Sequence, residues 1–379
     1  MPGALDGVLV ADFSRVLAGP YATMLLADLG ATVIKVERPG AGDDTRAWGP
    51  PYAPDGQSTY FHAVNRNKRS LALDISAPKD QLIAQNLARR ADIVVENFKP
   101  GALARYGLDY QGVSSSNPAV IYCSISGFGS GAGVELPGYD LLVQAMGGLM
   151  SITGTEEPTK AGVAVVDVLT GLHGAVAMLA ALRHRELTGQ GQNIEVSLLS
   201  SLLSSLVNQA SGYVGAGVVP SYMGNAHPSI SPYEVYQTAD RPIVIAVGND
   251  GQFMSFARAV SRPGLASDPR FATNPLRVAN RSALAVEITA VLATNGAEHW
   301  QQLITAAGVP CGPINDISQA FKLATDLGLD PIALINKNGE SVAQVANPVD
   351  YSATPVTYRL TPPTVGQDNA ALIAEFGLA

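Results

Sequence analysis

The sequence predicts an α/β protein: a doubly wound, Rossmann-like large domain with a smaller α-rich domain. Two observations carry this. Short runs rich in β-branched residues alternate with helical stretches through the first half, the mark of a parallel sheet covered on both faces. The second half then turns to Gly- and Pro-rich passages and closely spaced helical segments. With 379 residues, 47% of them apolar and 15% charged, the chain is long enough for two packed cores.

The elements follow in order. "GVLVADF" (7–13) and "ATVIKVE" (31–37) are strands separated by the helical "GPYATMLLADLG", a βαβ unit. "LALDI" (71–75), "ADIVVENF" (91–98) and "AVIYCSISGFG" (119–129) extend the pattern. From Gly171 to Leu187 the period is helical, with Leu172, Val176, Leu179 and Ala180 on one stripe, and "TGQG" supplies a glycine stop. "SLLSSLLSSL" (197–206) gathers Leu198, Leu199, Leu202, Leu203 and Leu206 on one helical face, the pattern of a core helix. These features divide the chain into a large domain at 1–206, a linker at 207–230, a small domain at 231–325 and a return segment at 326–379.

Composition excludes several classes of function. A net charge of −8 provides no excess of cations for nucleic acid. Cys123 and Cys311 stand far apart, as buried thiols of a reducing compartment do, and the five histidines show no metal-ligand spacing. "MPGALDGVLV" is no signal peptide, and His173 or serines interrupt the apolar segments before membrane-spanning length. A cytoplasmic protein without membrane contact is expected. The first βα turn, "FSRVLAGPYA", lacks the glycine fingerprint of dinucleotide sites despite Glu37 at the end of the second strand, and no P-loop occurs. "SITGTEEPTK" (151–160) reads as a polar loop.

The stretch "GVAVVDVLTGLHGAVAMLAAL" (162–182) holds one charged residue, Asp167. An acid in such a frame is either a helix cap or satisfied buried group, or else a reactive carboxylate, and the stretch alone leaves both open. Arg38, Arg105 and the basic run "NRNKRS" (65–70) fall at strand ends, where α/β folds bind anions, and suggest a small polyanionic ligand.

Several blocks together resemble the class III CoA-transferases, the CaiB/BaiF family that includes formyl-CoA transferase and the α-methylacyl-CoA racemases. They are "DFSRVLAGPYATMLLADLGATVIKVERPGAGDDTRAWGPP", "YFHAVNRNKRSLALDI", "ADIVVENFKPGALARYGLDY", "YCSISGFG", "PGYDLLVQAMGGLMSITG", "GNAHPSISPYEVY" and "GVPCGPINDI", in family order over nearly the whole chain.

The resemblance implies that Asp167 is the catalytic nucleophile, passing CoA from an acyl-CoA to a carboxylic acid through an aspartyl anhydride and an aspartyl-CoA thioester. It places coenzyme A, a substrate rather than a permanently bound cofactor, along Leu17, Ala18, Arg38, Leu73, Asp74, Asn97, Phe98, Lys99 and Arg105. Pro137, Gly138, Tyr139 and Asp140 would line the pantetheine, and Trp48 and His227 would belong to the active-site loops. Leu17 replaces a glutamine of formyl-CoA transferase, and His227, Pro228, Ile230 and Pro232 replace its glycine run, which points to succinyl-CoA-dependent relatives. The alternative within the family is a racemase, but its "GHD" histidine is Tyr139 here, a poor base at a phenol's ordinary pKa of about 10. The resemblance also implies an interlocked homodimer, with linkers threading the partner.

Overall fold

A computed structural model describes residues 2–337 and 340–379; Met1, Asn338 and Gly339, which the expected domains span, lie outside the described residues. The chain divides into two compact units. Unit one comprises residues 1–149, 161–218 and 329–379; unit two comprises 150–160 and 219–328.

Unit one is built on six strands: β1 (Leu9–Asp12), β2 (Thr32–Glu37), β3 (Lys68–Ala72), β4 (Ile93–Glu96), β5 (Ile121–Ser126) and β6 (Gln192–Ser197). Their order is β3-β2-β1-β4-β5-β6, and every pairing is parallel, with Val10 opposite both Val33 and Ile93. Alternate residues feed two cores. Val10, Val33, Ile93, Val95 and Cys123 face one, and Ala11, Ile34, Val94, Leu71 and Tyr122 face the other.

Five helices of this unit matter to the site: α1 (Ala18–Asp28), α2 (Pro78–Arg90), α3 (Asp140–Met146), α4 (Val165–Thr188) and α5 (Leu198–Ser205); α6 (Val207–Ala216) follows. The first core is covered by α1, α4 and α5, and the second by α2 together with the C-terminal helix.

Helix α4 departs from expectation in three ways. It begins at Val165, six residues before the first residue of the expected helix, and ends at Gly189 in left-handed conformation. It runs through His173, so its 24 residues are long and apolar enough by composition to cross a membrane; its buried face marks it instead as a core helix. That face is Thr170, Gly171, Gly174, Ala175, Met178, Ala181 and Leu182, whereas the expected stripe of Leu172, Val176, Leu179 and Ala180 points outward. The reason is steric. A Cβ at Gly171 would stand 2.7 Å from the Ala18 carbonyl oxygen, so only the small-residue face admits α1 this closely.

Other expectations are corrected similarly. Leu198 and Leu202 of α5 are buried, but Leu203 is exposed and Ser201 takes an interior place. Cys123 is buried and Cys311 only partly so; burial raises their thiols to about 12 and about 11.

Unit two is not purely helical. Its antiparallel sheet, ordered β7-β8-β9, joins β7 (Tyr233–Tyr236), β8 (Ile243–Ala246) and β9 (Cys311–Pro313); the first two lie in a passage whose Gly and Pro density reads as loop. Helices α7 (Asp250–Ala259), α8 (Arg281–Leu292) and α9 (Ala297–Ala306) pack on it around Phe253, Phe256, Leu284, Ile288 and Trp300. Helix α10 (Ile317–Asp326) closes the unit. The tail belongs to unit one: an antiparallel hairpin, β10 (Ile332–Lys337) and β11 (Glu340–Val345), then α11 (Asn369–Phe376). Asp368 accepts the Ser70 N–H at 2.9 Å, and Leu372 and Leu378 enter the second core.

Candidate active site

Strand order reverses between β1 and β4, and in parallel sheets the crevice beyond the carboxyl ends of such strands receives ligands. Two loops meet there. Arg15, after β1, donates its N–H to Asn97 Oδ1 at 2.8 Å, and Asn97 Nδ2 returns a bond to the Arg15 carbonyl at 2.7 Å. Next to this clasp Val16 has a φ of 70°, a left-handed conformation that a β-branched residue adopts only when its surroundings impose it. The Asp43 carboxylate imposes it by accepting the Val16 N–H, at 3.2 Å for the nearer oxygen, and Lys35 Nζ anchors Asp43 at 2.8 Å while also holding the Ser14 carbonyl.

Two cavities open on the crevice. The first, about 560 Å³, is lined by Arg38, Leu73, Asp74 and Arg105, four of the residues that the resemblance places along coenzyme A. The second, about 460 Å³, is lined by Leu17, Ala18, Asn97, Lys99, Pro137, Gly138, Tyr139 and Asp167. Phe98 and Arg15 border both, with the Arg15 guanidinium 5.0 Å from the Phe98 ring centre. The "PGYD" segment reaches this place because Gly138 meets Gly127 after β5, where a Cβ on either residue would overlap the other's backbone. Arg15 escaped sequence reasoning: nothing in "FSRVLAGP" distinguishes it until its position between the cavities is known.

Asp167 lies in the first turn of α4, so it is neither ahead of the helix nor its cap. Ala164 occupies the cap position and offers no side-chain bond. The missing cap comes from Asp140 at the start of α3, whose Oδ1 accepts the N–H groups of Val166 at 2.8 Å and Asp167 at 3.2 Å. Asp140 Oδ2 in turn accepts from Gln144 at 2.6 Å. Asp140 is therefore absent from the lining of the second cavity and anchors the helix that carries Asp167.

Burial, and then the Asp140 charge, push the Asp167 carboxyl up to about 7. Among the described residues no cation pairs with it. Tyr60 stands close by: burial raises its hydroxyl first, followed by the charges of Asp167, Asp140 and Asp43. Trp48 does not line either cavity; it packs edge-on against Tyr60 with ring centres 5.2 Å apart. In the sequence Tyr60 is the first residue of the block "YFHAVNRNKRSLALDI", with nothing to mark it as a neighbour of Asp167.

The basic run is corrected outright. Asn65, Arg66, Asn67 and Lys68 are buried, with Arg66 on Asp28 at 2.6 Å and Lys68 on Asp12 at 3.1 Å, so this charge is consumed inside the fold. Glu37 is likewise structural, bound by Arg46 at 2.7 Å and Ser70 at 2.7 Å. His227 belongs to unit two, where its Nδ1 accepts the Ser229 N–H at 3.1 Å and its ring lies 5.2 Å from that of Tyr233. Among the described residues no group of three or more His, Cys, Asp or Glu side chains is placed to hold a metal.

The profile of CoA-transferase family III matches residues 5–369. The chain belongs to that family. It is 44% identical to a succinate–glutarate CoA-transferase of Agrobacterium fabrum, over 98% of this chain and 95% of the relative. A succinyl-CoA:glutarate CoA-transferase of Mus musculus is 42% identical over 98% of this chain and 86% of its own. Among solved structures, a CAIB/BAIF family protein from Brucella suis superposes with a TM-score of 0.88 at 40% identity, covering 99% of this chain and all of that one. This family III enzyme is a CoA-transferase, and such enzymes act on CoA thioesters.

Proposed function

We propose that the enzyme moves CoA from succinyl-CoA to a short dicarboxylic acid of the glutarate class, with Asp167 as covalent nucleophile. The observation that carries this reading is a lone, poorly hydrated carboxylate in the wall of a cavity joined at Arg15 and Phe98 to a second, arginine-bearing one. The nucleotide of CoA fits the first cavity, where Arg38 and Arg105 meet its phosphates, and the pantetheine passes Leu17, Ala18, Asn97 and Lys99. The thioester then lies beside Tyr139.

In the first step an Asp167 oxygen attacks the thioester carbonyl, the C–S bond breaks, and CoA leaves as thiolate with the electron pair. The product is an aspartyl–succinyl anhydride. The thiolate then attacks the aspartyl carbonyl, releasing succinate and leaving an Asp167–CoA thioester. The acceptor carboxylate repeats both steps in reverse, so no ATP is consumed. Only the ionised form of Asp167 attacks, which ties the rate to its raised pKa.

A second copy of this chain is the partner, in the interlocked arrangement the sequence resemblance implies. In support, Leu172, Val176 and Leu179 leave an apolar stripe of α4 uncovered within this chain, with Val176 66% exposed. The residues at 207–230 and those after 325 would be the linkers.

The test is to incubate the enzyme with a panel of acyl-CoAs and free acids without ATP and follow CoA esters by mass spectrometry. Exchange between succinyl-CoA and glutarate, with no solvent deuterium entering a 2-methylacyl-CoA, is the expected result. Deuterium entry at the turnover rate without an acceptor would replace this reading with isomerase chemistry.

A further inference from the structure

Asp43 and Asp44 are neighbours in sequence with opposite surroundings. Asp43 is buried against Lys35 and fixes the Val16 turn. Asp44 opens the 3-10 turn Asp44–Ala47 and reaches outward, between two arginines. Its Oδ1 meets Arg38 Nη2 at 2.5 Å and its Oδ2 lies 3.5 Å from Arg15 Nη1. One carboxylate thus bridges two of the three guanidinium groups that border the arginine-bearing cavity, those of Arg38 and Arg15.

All three side chains are substantially exposed: 55% for Arg38, 37% for Arg15 and 40% for Asp44. An ion pair so open to water is weak, because solvent screens both charges. A phosphate group offers the same guanidinium groups more negative charge and more acceptor oxygens, in a geometry suited to bidentate bonding. Arg15 also has unused capacity, because its buried Nε has no hydrogen-bond partner.

We infer that Asp44 is an intramolecular competitor for the phosphates of CoA esters. It holds Arg38 and Arg15 oriented at the cavity mouth, yields them to a phosphate, and reclaims them when the ester departs. A transferase must release one CoA ester in every cycle, and a competing carboxylate built into the site shortens the residence of each. The inference rests on the proposal that CoA phosphates meet these arginines.

The experiment measures the affinity of free CoA by titration calorimetry at low and at high salt. It compares wild type, Asp44→Asn, Arg38→Ala, Arg15→Ala and the Asp44→Asn/Arg38→Ala double variant. Asp44→Asn is expected to bind CoA roughly two- to five-fold more tightly at low salt, the size of one surface ion pair. That gain shrinks as salt screens both competitors, and it is lost in the double variant. Unchanged or weaker binding by Asp44→Asn, while Arg38→Ala and Arg15→Ala weaken it, would overturn the competitor role and leave the phosphate site standing. Undiminished affinity in both arginine variants would instead overturn the placement of the phosphates.

Discussion

The crevice of this enzyme holds carboxylates in two kinds of burial. Asp12 and Asp43 sit at the end of β1 and just beyond β2, and for both burial alone would raise the pKa. The charges of Lys68 and Lys35 on Asp12, and of Lys35 on Asp43, outweigh it; both acids stay below the ordinary range, Asp43 at about 2. Asp167 is half-buried with a second acid, Asp140, as its charged neighbour, and rises to about 7. The difference teaches that burial does not mark the reactive acid; the missing cation does. The lysine-bound pair builds the loop that carries Arg15 and Leu17, while the lone carboxyl is left free for chemistry.

The largest expected effect comes from removing the lone acid. Asp167→Asn should lower CoA transfer by about 10⁴-fold or more while leaving CoA binding intact. The same variant tests the raised pKa through stability. Folded wild type retains a proton on Asp167 that the unfolded chain has shed between pH 3.8 and about 7. That contribution to stability is present at acid pH and lost as pH rises to about 7, so thermal unfolding of Asp167→Asn should lack this fall. Equal pH slopes in the two proteins would break the comparison at its central point.

The next effect falls on the paired acids. Lys35→Met leaves Asp43 and Asp12 short of a buried cation and should cost about 3–5 kcal/mol by chemical denaturation, the usual penalty for breaking a buried pair. A loss below about 1 kcal/mol would show that the lysine does not hold the acids.

The smallest effect sharpens the role of the second acid. Asp140→Asn keeps a side-chain oxygen for the Val166 and Asp167 N–H groups but removes the charge. The acidic limb of the kcat/KM profile should therefore move to lower pH by under about one unit, because burial is the larger cause of the shift. Asp140→Ala also loses the cap and should unfold about 1 kcal/mol more readily. An acidic limb that stays in place in Asp140→Asn would remove Asp140 from the titration of Asp167.

Much of this was legible in the chain. The strands around Val10, Val33, Val94 and Ile121 announce themselves as β-branched runs, and Asp167 stands out as the single charge in an apolar stretch. Other features depend on packing that a one-dimensional pattern does not record. Both faces of α4 are apolar, so periodicity alone cannot choose between Leu172 and Gly171; the approach of α1 to Gly171 does. Strand β6, "QNIEVS", sits at the edge of the sheet with half-polar composition, and with only Ile194 and Val196 turned to the core, neither fully buried, its apolar signal is weak. The basic run at 65–70 looks like a ligand site because its partners, Asp12 and Asp28, lie tens of residues away. Asp140 reads as a cavity residue until the uncapped start of α4 is seen beside it.

The most direct measurement of the central claim is covalent trapping. Enzyme mixed with succinyl-CoA alone, quenched with hydroxylamine or borohydride and digested, is read by peptide mass spectrometry. The account predicts modification confined to Asp167, as its hydroxamate or its reduced alcohol, and none in Asp167→Asn. Turnover with Asp167 unmodified, or adducts on another carboxylate such as Asp140, would contradict it.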